Sequence, residues 1–140
     1  MSDRAFVDTN VLVYAIAREG QEAKKSEKAK ALLQFSNLCL STQVLGEFYR
    51  AVTSSRRQTP LSSQQAIAWV QLWKRFEVQP ITVPHVDLAL DICGRFQIGY
   101  FDALIISAAR LATCNKVYSE DLNDGQDYAR VRVENPFRNL

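Results

Sequence analysis

Three acidic residues stand alone in stretches that are otherwise apolar. Asp8 is the only acid between Arg4 and Arg18, Glu47 the only one between Ser36 and Glu77, and Asp102 the only one from Ile92 to Asn115. Aspartate and glutamate are almost never fully buried without a partner, so solitary acids in core-forming segments call for a shared purpose. A further group, Glu120, Asp121 and Asp124, follows the apolar run that ends at Ser119. Taken singly, each has a plainer reading. Asp8 with Asn10, and Asp102, could cap helices, Glu47 could face solvent, and the Glu120–Asp127 acids could be a solvated loop. Taken together they point to a cation. Two carboxylates about 4 Å apart repel by about 4 kcal/mol at an effective dielectric near 20, and a metal ion removes that conflict. An all-oxygen donor set favours Mg²⁺ or Mn²⁺ over zinc. The chain has one histidine, His85, and its three cysteines, Cys39, Cys93 and Cys114, form no C-x-x-C pair. Such a site suits phosphodiester hydrolysis, in which the metal lowers the pKa of a bound water, orients the phosphate and offsets developing charge.

The elements that must position these acids are legible from periodicity. Ala5–Val7 is a short apolar strand closed by Asp8, and Val11–Ala17 continues at helical length with Asn10 as its cap. From Glu22 to Phe35, Ala29, Leu32, Leu33 and Phe35 recur at helical spacing among lysines and glutamates, which predicts an amphipathic surface helix. Leu38–Leu40 reads as a strand. Ser41 and Thr42 are candidate caps for a helix whose stripe is Val44, Leu45, Phe48, Tyr49 and Val52, and Pro60 bars continuation. A helix over Ser62–Phe76, an edge strand over Val78–Val83 and a helix from about Val86 to Phe96 follow, with Gly99 as a break. Phe101–Thr113 is apolar nearly all round and predicts a helix packed on a sheet, Lys116–Ser119 is a further strand, and Val131–Val133 is the last. This alternation predicts a single domain over residues 1–140, α/β in class: three layers, α/β/α, with a mostly parallel central sheet. Ligands are expected at the carboxyl ends of its strands, where all three solitary acids fall.

Composition excludes some classes. Hydrophobic residues at 47% and charged residues at 23% are ordinary for a globular chain rather than a disordered one. A net charge of +2 is too mild to argue for nucleic acid by itself. No stretch approaches eighteen uninterrupted apolar residues and the residues before Asp8 hold no long apolar signal segment, so neither export nor a membrane partner is expected. The cysteines read as reduced, buried thiols, which fits a cytoplasmic setting.

Four segments resemble the PIN-domain family along essentially the whole chain: F-V-D-T-N-V at Phe6–Val11, S-T-Q-V-L-G-E-F at Ser41–Phe48, G-Y-F-D-A-L-I at Gly99–Ile105 and Y-S-E-D-L at Tyr118–Leu122. Their order and spacing carry the likeness. Matched position by position, the resemblance implies that Asp8, Glu47 and Asp102 are catalytic, metal-binding acids and that Asp121 fills the fourth, more variable place. Thr9, Asn10, Ser119 and Asp124 take supporting parts. It also implies a Mg²⁺- or Mn²⁺-dependent endoribonuclease resembling VapC-type toxins, with RNA as substrate, a small antitoxin as partner and a homodimer as assembly. The fourth segment departs from the plainer T-x-D-x-D pattern, leaving Glu120, Asp121 and Asp124 as competing candidates.

Arg50 continues the helix of Glu47 and is a candidate RNA contact; Arg56, Arg57 and the lysines Lys24, Lys25, Lys28 and Lys30 could also hold phosphates or simply be solvated. Trp69 and Trp73, at i and i+4, read as core packing, and His85 as a cap or loop residue. Haloacid-dehalogenase phosphatases need a D-x-D motif after the first strand, where this chain has Asp8-Thr9-Asn10. Receiver domains need an aspartate closing the third strand, where it has Val83-Pro84-His85. A catalytically inactive PIN-like scaffold that binds RNA or protein is the remaining alternative.

Overall fold

The computed structural model describes residues 3–17 and 22–140, so the start of the chain, Met1 and Ser2, lies outside the described residues. Its elements in chain order are β1 (Ala5–Val7), α1 (Thr9–Ala15), α2 (Ala23–Leu32), β2 (Leu38–Ser41), α3 (Thr42–Thr53), α4 (Ser63–Trp73), β3 (Glu77–Gln79), α5 (Val83–Phe96), α6 (Tyr100–Leu111), β4 (Lys116–Tyr118), β5 (Asp127–Tyr128) and β6 (Val131–Glu134). The sheet order is β3-β2-β1-β4-β6-β5. All neighbouring pairs are parallel except β5 with β6.

That order sets the layers. The chain steps from β1 outward to β2 and β3, then returns past β1 to β4. Right-handed crossovers in opposite directions put their helices on opposite faces, so α1 to α4 cover one face and α5 with α6 the other. The packing agrees: α1 meets α2 and α3, α3 meets α4, and α5 lies along α6. The result is the expected three-layer α/β/α arrangement with a mostly parallel sheet. Its central strand is buried at all three positions, Ala5, Phe6 and Val7, because both faces are covered. Residues Ala103 to Ala109 of α6 are buried without a break, as an all-round apolar helix against a sheet must be. Trp73 is core, edge-on to Phe48 and stacked on the half-buried Trp69. Among the described residues, no helix is long and apolar enough to cross a membrane.

Several sequence expectations are corrected. Asp8, not Asn10, caps α1, because its carboxylate accepts the Thr9 N–H. The surface helix stops at Leu32, leaving Phe35 in a turn and 60% exposed. The third strand ends at Gln79, before Pro80, and Val83 begins α5 instead. His85, expected as a cap or loop residue, does cap that helix: its Nδ1 accepts the Thr82 N–H at 3.1 Å. α5 ends where Gln97 turns left-handed, and Gly99 instead caps α6. Cys39 and Cys114 are buried thiols, whereas Cys93 is only half-buried.

The short strand β5 had no sequence signal. It joins β6 through Ala129 and Arg130, whose φ values of 53° and 75° are left-handed at two successive non-glycine residues. Such a turn favours Asn-Gly, and an L-residue there costs about 1–2 kcal/mol. Here the Arg130 N–H donates to Asp127 Oδ1 at 2.8 Å and Tyr128 is buried against Phe96, which hold the turn shut. Replacing the exposed Arg130 with glycine should therefore raise the unfolding free energy by about 1 kcal/mol, read by urea denaturation; a fall in stability would contradict this account of the turn.

Candidate active site

The strand order reverses between β1 and β4, and in an open parallel sheet the crevice outside the carboxyl ends at such a point is where ligands bind. Asp8 leaves β1 there, and Ser119 to Asp121 leave β4 beside it. Asp8 is 4% exposed. Its Oδ1 accepts the Thr9 N–H at 2.7 Å and its Oδ2 the Ser119 hydroxyl at 2.7 Å. Ser119, wholly buried, also accepts the Asp121 N–H at 3.1 Å. One hydroxyl thus joins the ends of the two central strands.

The rest of the cluster hangs on the three residues Asp8-Thr9-Asn10. The Thr9 hydroxyl donates to Glu47 Oε1 at 2.9 Å, reaching across to the second turn of α3. Asn10 donates through Nδ2 to Asp121 Oδ2 at 3.2 Å and accepts the Glu120 N–H through Oδ1 at 3.3 Å. α3 itself is fixed by Ser41, which ends β2 and caps the helix through the Val44 N–H. Asp102 enters from the first turn of α6, half-buried.

The electrostatics tie the four acids together. Burial, then the charges of Asp121 and Glu47, raise the Asp8 pKa to about 7 against the pull of its hydrogen bonds to Ser119 and Thr9. Asp102 is raised by the same causes in the same order, burial first, then Asp121 and Glu47. Among the described residues no lysine or arginine forms an ion pair with Asp8, Glu47, Asp102 or Asp121. Four acids in mutual repulsion without a basic partner are chemically suited to a hard divalent cation. Among the described residues no group of three or more His, Cys, Asp or Glu side chains is already arranged as a metal cage.

The other candidates separate cleanly. Glu120 turns away to Tyr14 OH at 2.7 Å and Lys25 Nζ at 2.6 Å. Asp124, expected as a supporting acid, instead pairs with Arg138 at 3.0 Å and accepts the Asn135 N–H, holding the C-terminal segment. Arg50 is exposed, one turn beyond Glu47 on α3. Sequence reasoning missed Gln43, whose amide donates to Glu47 Oε2 at 3.0 Å and to the Phe101 carbonyl at 3.1 Å, bridging α3 to the start of α6. The i, i+4 spacing from Glu47 was the available signal. It also missed Tyr14, and it read Lys25 as a phosphate contact or a solvated residue rather than as a partner of Glu120.

The chain is similar in sequence and fold to several known proteins. A family profile described as PIN domain matches residues 5–131. Ribonuclease VapC2 of Methanocaldococcus jannaschii is 26% identical over 137 residues, covering 92% of this chain and 89% of that protein. A toxin–antitoxin complex from Klebsiella pneumoniae shares the fold with a TM-score of 0.70 at 16% identity, covering 95% of this chain and 98% of that one. Mycobacterium tuberculosis VapC20, described as a sarcin-ricin loop cleaving toxin, does so with a TM-score of 0.68 at 21% identity, covering 91% and 98%.

The raised Asp8 pKa has a consequence in chelator. The folded protein keeps the Asp8 proton up to about 7, while the unfolded chain releases it near the ordinary aspartate value of 3.8. Between those values the unfolded state binds fewer protons, so raising the pH favours unfolding. Asp8 is therefore expected to subtract a few kcal/mol, in order of magnitude, from stability as the pH climbs from about 4 to about 7. Equilibrium unfolding of wild type and Asp8→Asn across that range checks this, the variant losing less stability; parallel profiles would show that burial does not hold the proton.

Proposed function

This chain belongs to the PIN-domain family, and we propose that it is a Mg²⁺- or Mn²⁺-dependent endoribonuclease acting as the toxin of a toxin–antitoxin pair. The observation that carries the proposal is the electrostatic coupling of Asp8, Glu47, Asp102 and Asp121 at the β1/β4 switch point without a basic partner. The ribonuclease relative and the toxin–antitoxin neighbour support the same reading.

In this reading Asp8, Glu47, Asp102 and Asp121 hold the cation. When bound, the metal supplies an activated water and offsets charge on the phosphate as the P–O bond breaks. Asp8 gives one lone pair of each oxygen to Thr9 and Ser119, which fixes its plane and leaves a second lone pair on each. Glu47 is oriented from both sides, by Thr9 and by Gln43. Asp121 is aimed by Asn10 and by the Ser119 turn. Arg50, exposed beyond Glu47, is suited to a phosphate of the RNA backbone. A small antitoxin covering the cleft and a homodimeric assembly complete the proposal.

The test is cleavage of labelled single-stranded and structured RNA with Mg²⁺ or Mn²⁺ and with chelator. Asp8→Asn and Asp102→Asn should each reduce cleavage by roughly 100-fold or more, in line with loss of several kcal/mol of transition-state stabilisation, while circular dichroism melting stays cooperative. Undiminished cleavage in chelator, or by both variants, would sink the reading. RNA that binds without being cut under every metal condition would support the inactive scaffold instead. Expression of the wild type should arrest growth, and Asp8→Asn should relieve it.

A further inference from the structure

Glu120 lies between two site residues, Ser119 and Asp121, yet its carboxylate is held outside the cluster. Its Oε1 accepts the Tyr14 hydroxyl at 2.7 Å and its Oε2 the Lys25 ammonium at 2.6 Å. Lys25 also donates to Tyr14 OH at 3.2 Å and lies 4.8 Å from the Tyr14 ring centroid and 5.9 Å from that of Phe137. The Tyr14 and Phe137 rings meet edge to face at 4.8 Å. Tyr14 of α1 and Lys25 of α2 thus converge on the acid of the turn after β4, and Phe137 of the C-terminal segment backs both of them. The Lys25 and Glu120 side chains are 28% and 27% exposed, so the pair is less screened than a surface one.

We propose that Lys25 and Tyr14 are positioning residues for the acid cluster: by anchoring Glu120 they hold the Ser119–Asp121 turn so that Asp121 and Ser119, rather than Glu120, face Asp8. The inference rests on the metal-site reading above. The backbone on either side of Glu120 is bound to site groups, the Glu120 N–H to Asn10 Oδ1 and the Asp121 N–H to Ser119 Oγ. A slip of the Glu120 side chain therefore pulls directly on groups that orient Asp121 and Asp8. Released, Glu120 would also be a fifth acid beside a cluster that already lacks a counter-charge. The clamp decides between two adjacent acids, Glu120 and Asp121, while Asp124 is drawn off separately by Arg138.

Positioning and simple charge predict opposite signs. Lys25→Met removes a positive charge, so long-range electrostatics alone would tighten cation binding, whereas loss of the anchor weakens it. Glu120→Gln removes a negative charge, which alone would weaken binding, yet its amide oxygen still accepts from Tyr14 or Lys25 and keeps the anchor. The experiment reads Mn²⁺ half-saturation from the metal-dependent rise in Tm, with kcat and KM for RNA cleavage measured on the same proteins. Lys25→Met and Glu120→Leu are expected to weaken Mn²⁺ binding by roughly 10- to 100-fold, the usual effect of losing a partner that orients a metal ligand. Their kcat should fall with KM nearly unchanged, and Glu120→Gln should stay close to wild type. Arg138→Ala, which breaks the ion pair to Asp124 on the same loop, controls for lost stability and should lower Tm without moving the Mn²⁺ half-saturation. Unchanged or tighter Mn²⁺ binding and unchanged kcat in Lys25→Met would overturn the clamp while leaving the metal-site reading intact. A wild type with neither a Mn²⁺ response nor cleavage would remove that reading, and the clamp with it.

Discussion

The hydrogen bond from the buried Ser119 hydroxyl to the Asp8 carboxylate is the constraint around which the rest is organised. It spans the two strands between which the sheet reverses its winding, so it forms only when β1 and β4 lie side by side in register, Val7 against Tyr118. It also fixes the plane of an acid that burial would otherwise leave costly and unaimed. From Asp8 outward, each neighbouring residue reaches one further element: Thr9 to α3, Asn10 to the turn after β4, and Ser119 to the backbone of Asp121.

This arrangement sets stability against readiness. A carboxyl with almost no exposure, pressed by two other acids, prefers its proton in the absence of a cation. An apolar residue of similar volume would make a more stable core. The fold tolerates the cluster because the surrounding layers are well supplied with burial: the central strand is covered on both faces and α6 is enclosed from Ala103 to Ala109. Gln43 adds the remaining tie: its amide donates to Glu47 on α3 and to the carbonyl of Phe101, the residue before Asp102 on α6, and so links two helices on opposite faces of the sheet.

The charges outside the cluster are used to sort its neighbours. Glu120 and Asp124 flank Asp121 closely in sequence, yet each is drawn off by a cation of its own, Lys25 and Arg138 respectively. Both pairs anchor chain segments as well as neutralising acid, the first through the Tyr14–Phe137 contact and the second through the Asn135 N–H. What is left facing Asp8 is an acid with no basic partner among the described residues.

By itself the sequence determined the elements and the acids. Solitary Asp8, Glu47 and Asp102 in apolar runs, strands alternating with helices, and the serine cap before α3 are local patterns of hydrophobic period and capping, and each is written within about ten residues. Boundaries were less legible: Phe35 left its helix and Val83 joined α5, both largely exposed, and the β5–β6 hairpin formed through Ala129 and Arg130 without the turn residues such a hairpin favours. Only the tertiary structure decided that Asp121 bonds to Asn10 while Glu120 pairs with Lys25, 95 residues away in the chain, and Asp124 with Arg138, and that Gln43 bridges two helices. The reason is physical: periodicity reports which face of an element is buried, but the aim of a side chain depends on partners supplied by distant strands and helices, which meet only when the sheet has assembled.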